Sequence, residues 1–93
     1  MQLTTREALE VMRTLGVEFT ECKHHVRGYM IVENIKLFPV FCSFGQKDLP
    51  GDVPHRFRRS LHLTEEEFSR VRSGNLGRDE YIGILRFKGV IHP

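Results

Sequence analysis

Apolar positions along this chain change their period several times, and each change marks an element. Leu3-Thr4-Thr5-Arg6-Glu7-Ala8 reads as a capping box, with Thr4 as N-cap, Glu7 reaching back to it, and Leu3 and Ala8 as the hydrophobic staple. Ala8, Val11, Met12 and Leu15 then recur at helical spacing up to Gly16, predicting a helix over about 5–15. From Val17 to Cys22 the period falls to two, and His25 to Val32 is rich in β-formers, which predicts two neighbouring antiparallel strands with Glu33-Asn34 turning the chain after the second. Ile35 to Phe44 reads as a third strand, with Phe38, Val40, Cys42 and Phe44 on one face and Leu37, Pro39, Phe41 and Ser43 on the other. Pro39 cannot donate a ladder hydrogen bond, so it places this strand at an edge or at a bulge.

Gly45 to Gly51 interrupts the pattern as a loop, and a second helix is predicted over about 53–61 with Pro54 in its first turn. Val53, Phe57 and Leu61 share one side of that helix, while His55, Arg58, Arg59 and His62 form a basic face opposite. Thr64-Glu65-Glu66-Glu67 repeats the capping box, with Leu63 and Phe68 as staple, and opens a helix ending near Gly74-Asn75. Tyr81, Leu85 and Lys88, widened by Ile82 and Ile84, predict a last helix over 78–88 that Gly89 terminates. The expected class is α+β: a three-stranded antiparallel meander packed with helices, in the order α-β-β-β-α-α-α.

Length adds a bound, since 93 residues close one core and leave little room for a large cleft, so 1–93 is read as a single domain. With 40% apolar and 28% charged residues the composition is that of a globular chain, and no apolar run approaches the ~20 residues of a membrane span. Met1 leads into Gln-Leu-Thr-Thr-Arg-Glu rather than a secretory leader, so a cytoplasmic protein without a membrane partner is expected. Cys22 and Cys42 lack zinc-ligand spacing and are expected to stay reduced. The formal charge of +2 hides an asymmetry. Residues 22–62 hold seven basic side chains (Lys23, Arg27, Lys36, Lys47, Arg56, Arg58, Arg59) against Glu33, Asp48 and Asp52. A polyanion or an acidic protein surface is the partner such a middle favours.

Lys23-His24-His25 brings imidazoles and cationic charge together at the start of a strand. Neighbouring strand residues face opposite ways, so both rings enter one site only through a kink or bulge. On regular alternation His24 shares a face with Val26, Met30 and Val32, whereas His25 shares the face of Arg27 and Tyr29 and is the more exposed candidate. The competing reading packs one ring at the sheet margin and leaves the other simply solvated. Zinc is disfavoured because further ligands are missing, and no cofactor is implied. Phe19, Tyr29 and Phe41 are candidates for stacking on bases, although aromatic residues of a small meander more often belong to its core.

Several stretches, Leu15-Gly16-Val17, Cys22-Lys23-His24-His25, Lys47-Asp48-Leu49-Pro50 and Phe57-Arg58-Arg59-Ser60-Leu61-His62-Leu63-Thr64, follow in the order seen in one family. Residues 5–68 resemble the HicA toxins of toxin-antitoxin systems, leaving 69–93 as a C-terminal helical extension. The resemblance implies an α-β-β-β-α core like a double-stranded-RNA-binding domain, endoribonuclease action on messenger RNA, and restraint by a HicB-like antitoxin. It places the catalytic role on His24, with His25 as the rival from strand parity, and Cys22 stands where the family pattern has glycine. His24 would take the proton of a ribose 2′-hydroxyl or protonate the leaving oxygen, without a metal. Lys23 would stabilise the charge that develops, while Arg27, Lys47, His55, Arg56, Arg58, Arg59 and His62 would hold the RNA. Two other classes remain open: an inactive module binding nucleic acid or protein through the same surface, and a subunit of a protein complex.

Overall fold

Two capping boxes set the helical frame. In the computed structural model, which describes residues 2–43 and 49–91, α1 spans Thr5–Leu15 and is opened by a reciprocal pair. The Thr4 N–H donates to Glu7 Oε1 at 3.0 Å, and the Glu7 N–H donates to Thr4 Oγ1 at 3.1 Å. Two of the orphan donors of a helix start are satisfied this way. Gly16 ends the helix at φ 74°, a left-handed conformation that places the Val17 N–H 2.9 Å from the Met12 carbonyl. The second box recurs at Thr64 and Glu67, with bonds of 2.9 and 3.1 Å. It opens α3 (Glu65–Arg72), which follows α2 (Val53–Ser60) and precedes α4 (Arg78–Phe87).

Between α1 and α2 the chain forms an antiparallel sheet in the order β1 (Glu18–Glu21), β2 (His25–Val32), β3 (Ile35–Ser43). The turn between β2 and β3 is Glu33-Asn34, at φ 53° and 64°. Two left-handed residues in succession match the strand twist of a tight hairpin. β3 is an edge strand, where Pro39 is tolerated. Register shifts between Met30, paired with Phe38, and Ile31, paired with Lys36, so Leu37 is the extra residue of a bulge. Gly28 lies under Phe19 of β1: a Cβ there would stand 2.5 Å from the Glu18 carbonyl oxygen and 2.8 Å from the Phe19 Cβ. The predicted boundaries move by a residue or two, β1 from 17–22 to Glu18–Glu21, α2 from 53–61 to Val53–Ser60, and the last helix from 78–88 to Arg78–Phe87. Phe44, and the loop positions 45–48, lie outside the described residues.

One hydrophobic cluster holds these layers together. Val26, Met30, Val40 and Cys42 point inward from the sheet to Val11, Met12 and Leu15 of α1, Phe57 of α2 and Phe68 of α3. Val71, Leu76, Tyr81, Leu85 and Ile91, all beyond residue 68, belong to the same cluster. Phe57 and Phe68 meet edge to face at 6.1 Å between centroids. Tyr81 is fully buried, and its hydroxyl donates to the Leu61 carbonyl at 2.7 Å, which satisfies a polar atom that burial would otherwise penalise. Arg78, the first residue of α4, donates to the carbonyls of Leu15, Gly16 and Ile31 at 3.1, 2.9 and 3.1 Å. A single guanidinium fork thereby joins the end of α1 to the end of β2. No helix among the described residues is long and apolar enough to cross a membrane.

Candidate functional site

The β1–β2 hairpin determines where the two histidines go. Glu21 pairs with Val26, and the Cys22 N–H donates to the His25 carbonyl at 2.8 Å, so Lys23 and His24 form a two-residue tip. His24 therefore precedes the strand and is released from its alternation. It is exposed, as are Cys22 and Lys23, and among the described residues no side chain hydrogen-bonds its ring. His25 begins β2 on the face opposite Val26, half-buried, with its ring 5.5 Å from that of Phe41 at a tilt of 31°. Strand parity therefore governs His25, which lies on the outer face, and does not apply to His24.

That outer face stays open to solvent while the inner face is buried. Cross-strand pairing builds rows on it: Glu18, Tyr29 and Pro39 form one, Thr20, Arg27 and Phe41 the next, and His25 with Ser43 lies nearest the tip. Tyr29 is 44% and Phe41 48% exposed, so neither is a core residue, in contrast to the expectation for aromatics of a small meander. Lys36 places its Nζ 4.7 Å from the Tyr29 ring centroid, a cation–π approach. Phe19, on the other side of β1, is half-buried beneath the guanidinium of Arg13 at 5.9 Å. Sequence reasoning counted Lys36 only as charge. The odd-numbered alternation of His25, Arg27 and Tyr29, opposite Pro39 and Phe41, was the signal that these side chains share one surface.

The basic face expected on α2 is divided by the structure. Arg58 is half-buried and spends its Nη1 donor on the Leu63 carbonyl at 2.8 Å, bracing the α2–α3 turn. His62 occupies that turn at φ 61° and meets Phe38 edge-on at 4.5 Å. Partial burial, together with the positive charge of Lys88, holds the His62 imidazole below its ordinary pKa. Lys88 in turn donates to the His62 carbonyl at 2.7 Å and pairs with Glu67. His55 Nδ1 lies 3.9 Å from Glu65, and Arg56 pairs with Asp52 at 3.1 Å at the exposed helix start. Arg59 projects into solvent, and among the described residues it has no ion-pair partner. Lys47 lies outside the described residues.

The candidates thus fall into two groups separated by the sheet. Lys23, His24, His25 and Arg27 belong to the hairpin tip and outer face, whereas Arg56 and Arg59 lie on the helical side. Arg58 and His62 are engaged in the turn that joins α2 to α3, while His55 stands half-buried on α2 with Glu65 as its nearest carboxylate. Cys22 is exposed at the base of the tip, while burial pushes the Cys42 thiol up to about 11. Among the described residues no three His, Cys, Asp or Glu side chains gather into a metal-holding group. Comparison with protein-family models, curated proteins and solved structures found no match, so fold and site rest on the chain's own residues.

Proposed function

We propose that this chain is a HicA-like endoribonuclease of the cytoplasm, binding RNA across its hairpin and outer sheet face and cleaving it with His24. The observation that carries the reading is the position of His24 beside Lys23 on a solvent-exposed two-residue tip, next to a face bearing Arg27 and Lys36. A tip of this kind reaches a phosphodiester without needing a deep cleft. The His24 imidazole accepts the 2′-hydroxyl proton as O2′ attacks phosphorus, and the imidazolium so formed returns that proton to the leaving oxygen as the P–O5′ bond breaks. One proton is taken and one returned, giving a 2′,3′-cyclic phosphate and a 5′-hydroxyl. The Lys23 ammonium stabilises the charge gathering on the non-bridging oxygens. Use of the 2′-hydroxyl restricts the reaction to RNA. A HicB-like antitoxin is the partner that this reading implies.

One observation favours a second reading, a catalytically inactive binding module on the same scaffold. Among the described residues nothing orients the His24 ring, whereas acid–base histidines are generally held by a second group. Purified chain incubated with single-stranded RNA in chelator separates the two. Cleavage is expected to yield cyclic-phosphate ends and to fall about 10²- to 10⁴-fold in His24→Ala, with folding intact. Retained cleavage in that variant but loss in His25→Ala moves the chemistry to His25. RNA bound in a salt-dependent manner yet left intact establishes the binding module.

A further inference from the structure

The exposed aromatics narrow the nucleic acid that such a face can take. Each is flanked by a cation: Lys36 lies over Tyr29, and Arg27 stands directly across from Phe41, whose other neighbour is His25. Glu18 is the one carboxylate in the outer-face rows among the described residues, while Glu21, paired with inward-facing Val26, is exposed at the base of the tip. Alternating rings and positive charge suit bases joined by phosphates, whereas the centres of protein interfaces are depleted of charge. Spacing decides the strandedness. Phe41 is opposite Arg27, two residues from Tyr29, so the two aromatics are diagonal neighbours about 7–8 Å apart. Stacked bases of a duplex rise by about 3.4 Å, and their ring faces are already occupied by one another. Only a strand whose bases are splayed can seat one on each ring.

We infer that the outer sheet face is a stacking platform for single-stranded RNA, with Tyr29 and Phe41 each taking a base, Arg27 holding the phosphates, and the exposed Lys36 ammonium moving off the Tyr29 ring to a phosphate as the base arrives. This rests on the RNA reading above and limits its substrate to unpaired strands. His25 and Phe41 lie at the end of the platform nearest the tip, so a strand running along β2 continues toward Lys23 and His24.

The test uses the whole chain and a 2′-O-methylated RNA of about a dozen nucleotides, which cannot be cleaved through O2′, read by fluorescence anisotropy with and without its annealed complement. The single strand is expected to bind at least about tenfold more tightly than the duplex, and Tyr29→Thr and Phe41→Thr each to weaken it about 5- to 150-fold. Threonine preserves strand propensity, and thermal melting verifies that each variant folds. Tyr29→Phe and Phe41→Tyr, which keep a ring, are expected to bind within about twofold of the parent chain. Equal affinity for duplex and single strand, or threonine variants that bind like the parent, overturns the platform; His24-dependent cleavage retained in the same preparations leaves the ribonuclease reading standing. No binding and no cleavage overturns both. A dimer dispersed by Phe41→Thr, without RNA binding, overturns the platform by assigning the face to a second copy.

Discussion

Replacing Arg78 with methionine keeps the aliphatic stem and removes the guanidinium that bonds Leu15, Gly16 and Ile31. A hydrogen bond to a charged group contributes about 1.5–3 kcal/mol, but the site is only half-buried and water can recover part of that for the carbonyls. Two acceptors sit at the C-terminal end of α1, where a cation gains about 0.3–1 kcal/mol from the helix dipole. Against this, a positive residue at the first position of α4 is unfavourable by a similar amount. The net expectation is a loss of about 2–4 kcal/mol, or a fall in Tm of roughly 10–25 °C for a domain of this size. Urea unfolding with an unchanged slope is the appropriate assay. Arg78→Lys should recover only part of the loss, because an ammonium cannot present the planar fork that reaches acceptors on two elements. Arg78→Met within about 0.5 kcal/mol of the parent chain would refute the bridging role and leave the three bonds as surface decoration.

Other substitutions probe the remaining frame. Tyr81→Phe strips the Leu61 carbonyl of its partner and is expected to cost about 1–3 kcal/mol in urea unfolding. Gly28→Ala forces a methyl against the Glu18 carbonyl and Phe19, so β1 should detach, seen as faster amide exchange at Glu18 and Thr20, whose N–H groups face β2, than in the parent chain. Stability should begin to decline as pH drops past 6.5, because His62 is held below that value and protonating it costs the folded state. His62→Asn, which suits the left-handed backbone, should remove that first decline but not the later one below 4.5. The later decline comes from two carboxyls held low. For Glu7, bonds to Thr4 and Arg72 outweigh burial; for Glu67, burial acts upward but Lys88 and Thr64 outweigh it. A thiol reagent at mildly alkaline pH should label Cys22 rapidly and Cys42 only on unfolding.

What could be read in advance was what neighbouring residues decide among themselves. Both capping boxes, the stop at Gly16 and the edge position of Pro39 depend on side chains within four places of one another, and all are present. Phe38, Val40 and Cys42 share the inner face by simple alternation. The site was harder because its geometry is set at a distance. Cys22 closing onto His25 takes His24 out of the strand, a fact of pairing that periodicity does not encode. A helical wheel shows Arg58 as outward, but only the turned chain after α2 brings the Leu63 carbonyl to its guanidinium. Arg78 was unremarked for the same reason, its acceptors lying 47 to 63 residues earlier in the chain.

A hairpin whose tip is two residues long is also a ruler. Inserting a pair of residues between Cys22 and His25 would advance the tip by about 3.4 Å along the strand axis while leaving the register of the sheet behind it intact. Two such pairs approach the diagonal between Tyr29 and Phe41, which on the proposed platform is the step from one base to the next. On the ribonuclease reading proposed above, lengthening the loop by four residues would shift the cut by one nucleotide without altering which bases are held. On that reading the distance between recognition and scission is set by a loop length, open to change by insertion where a substitution could not reach it.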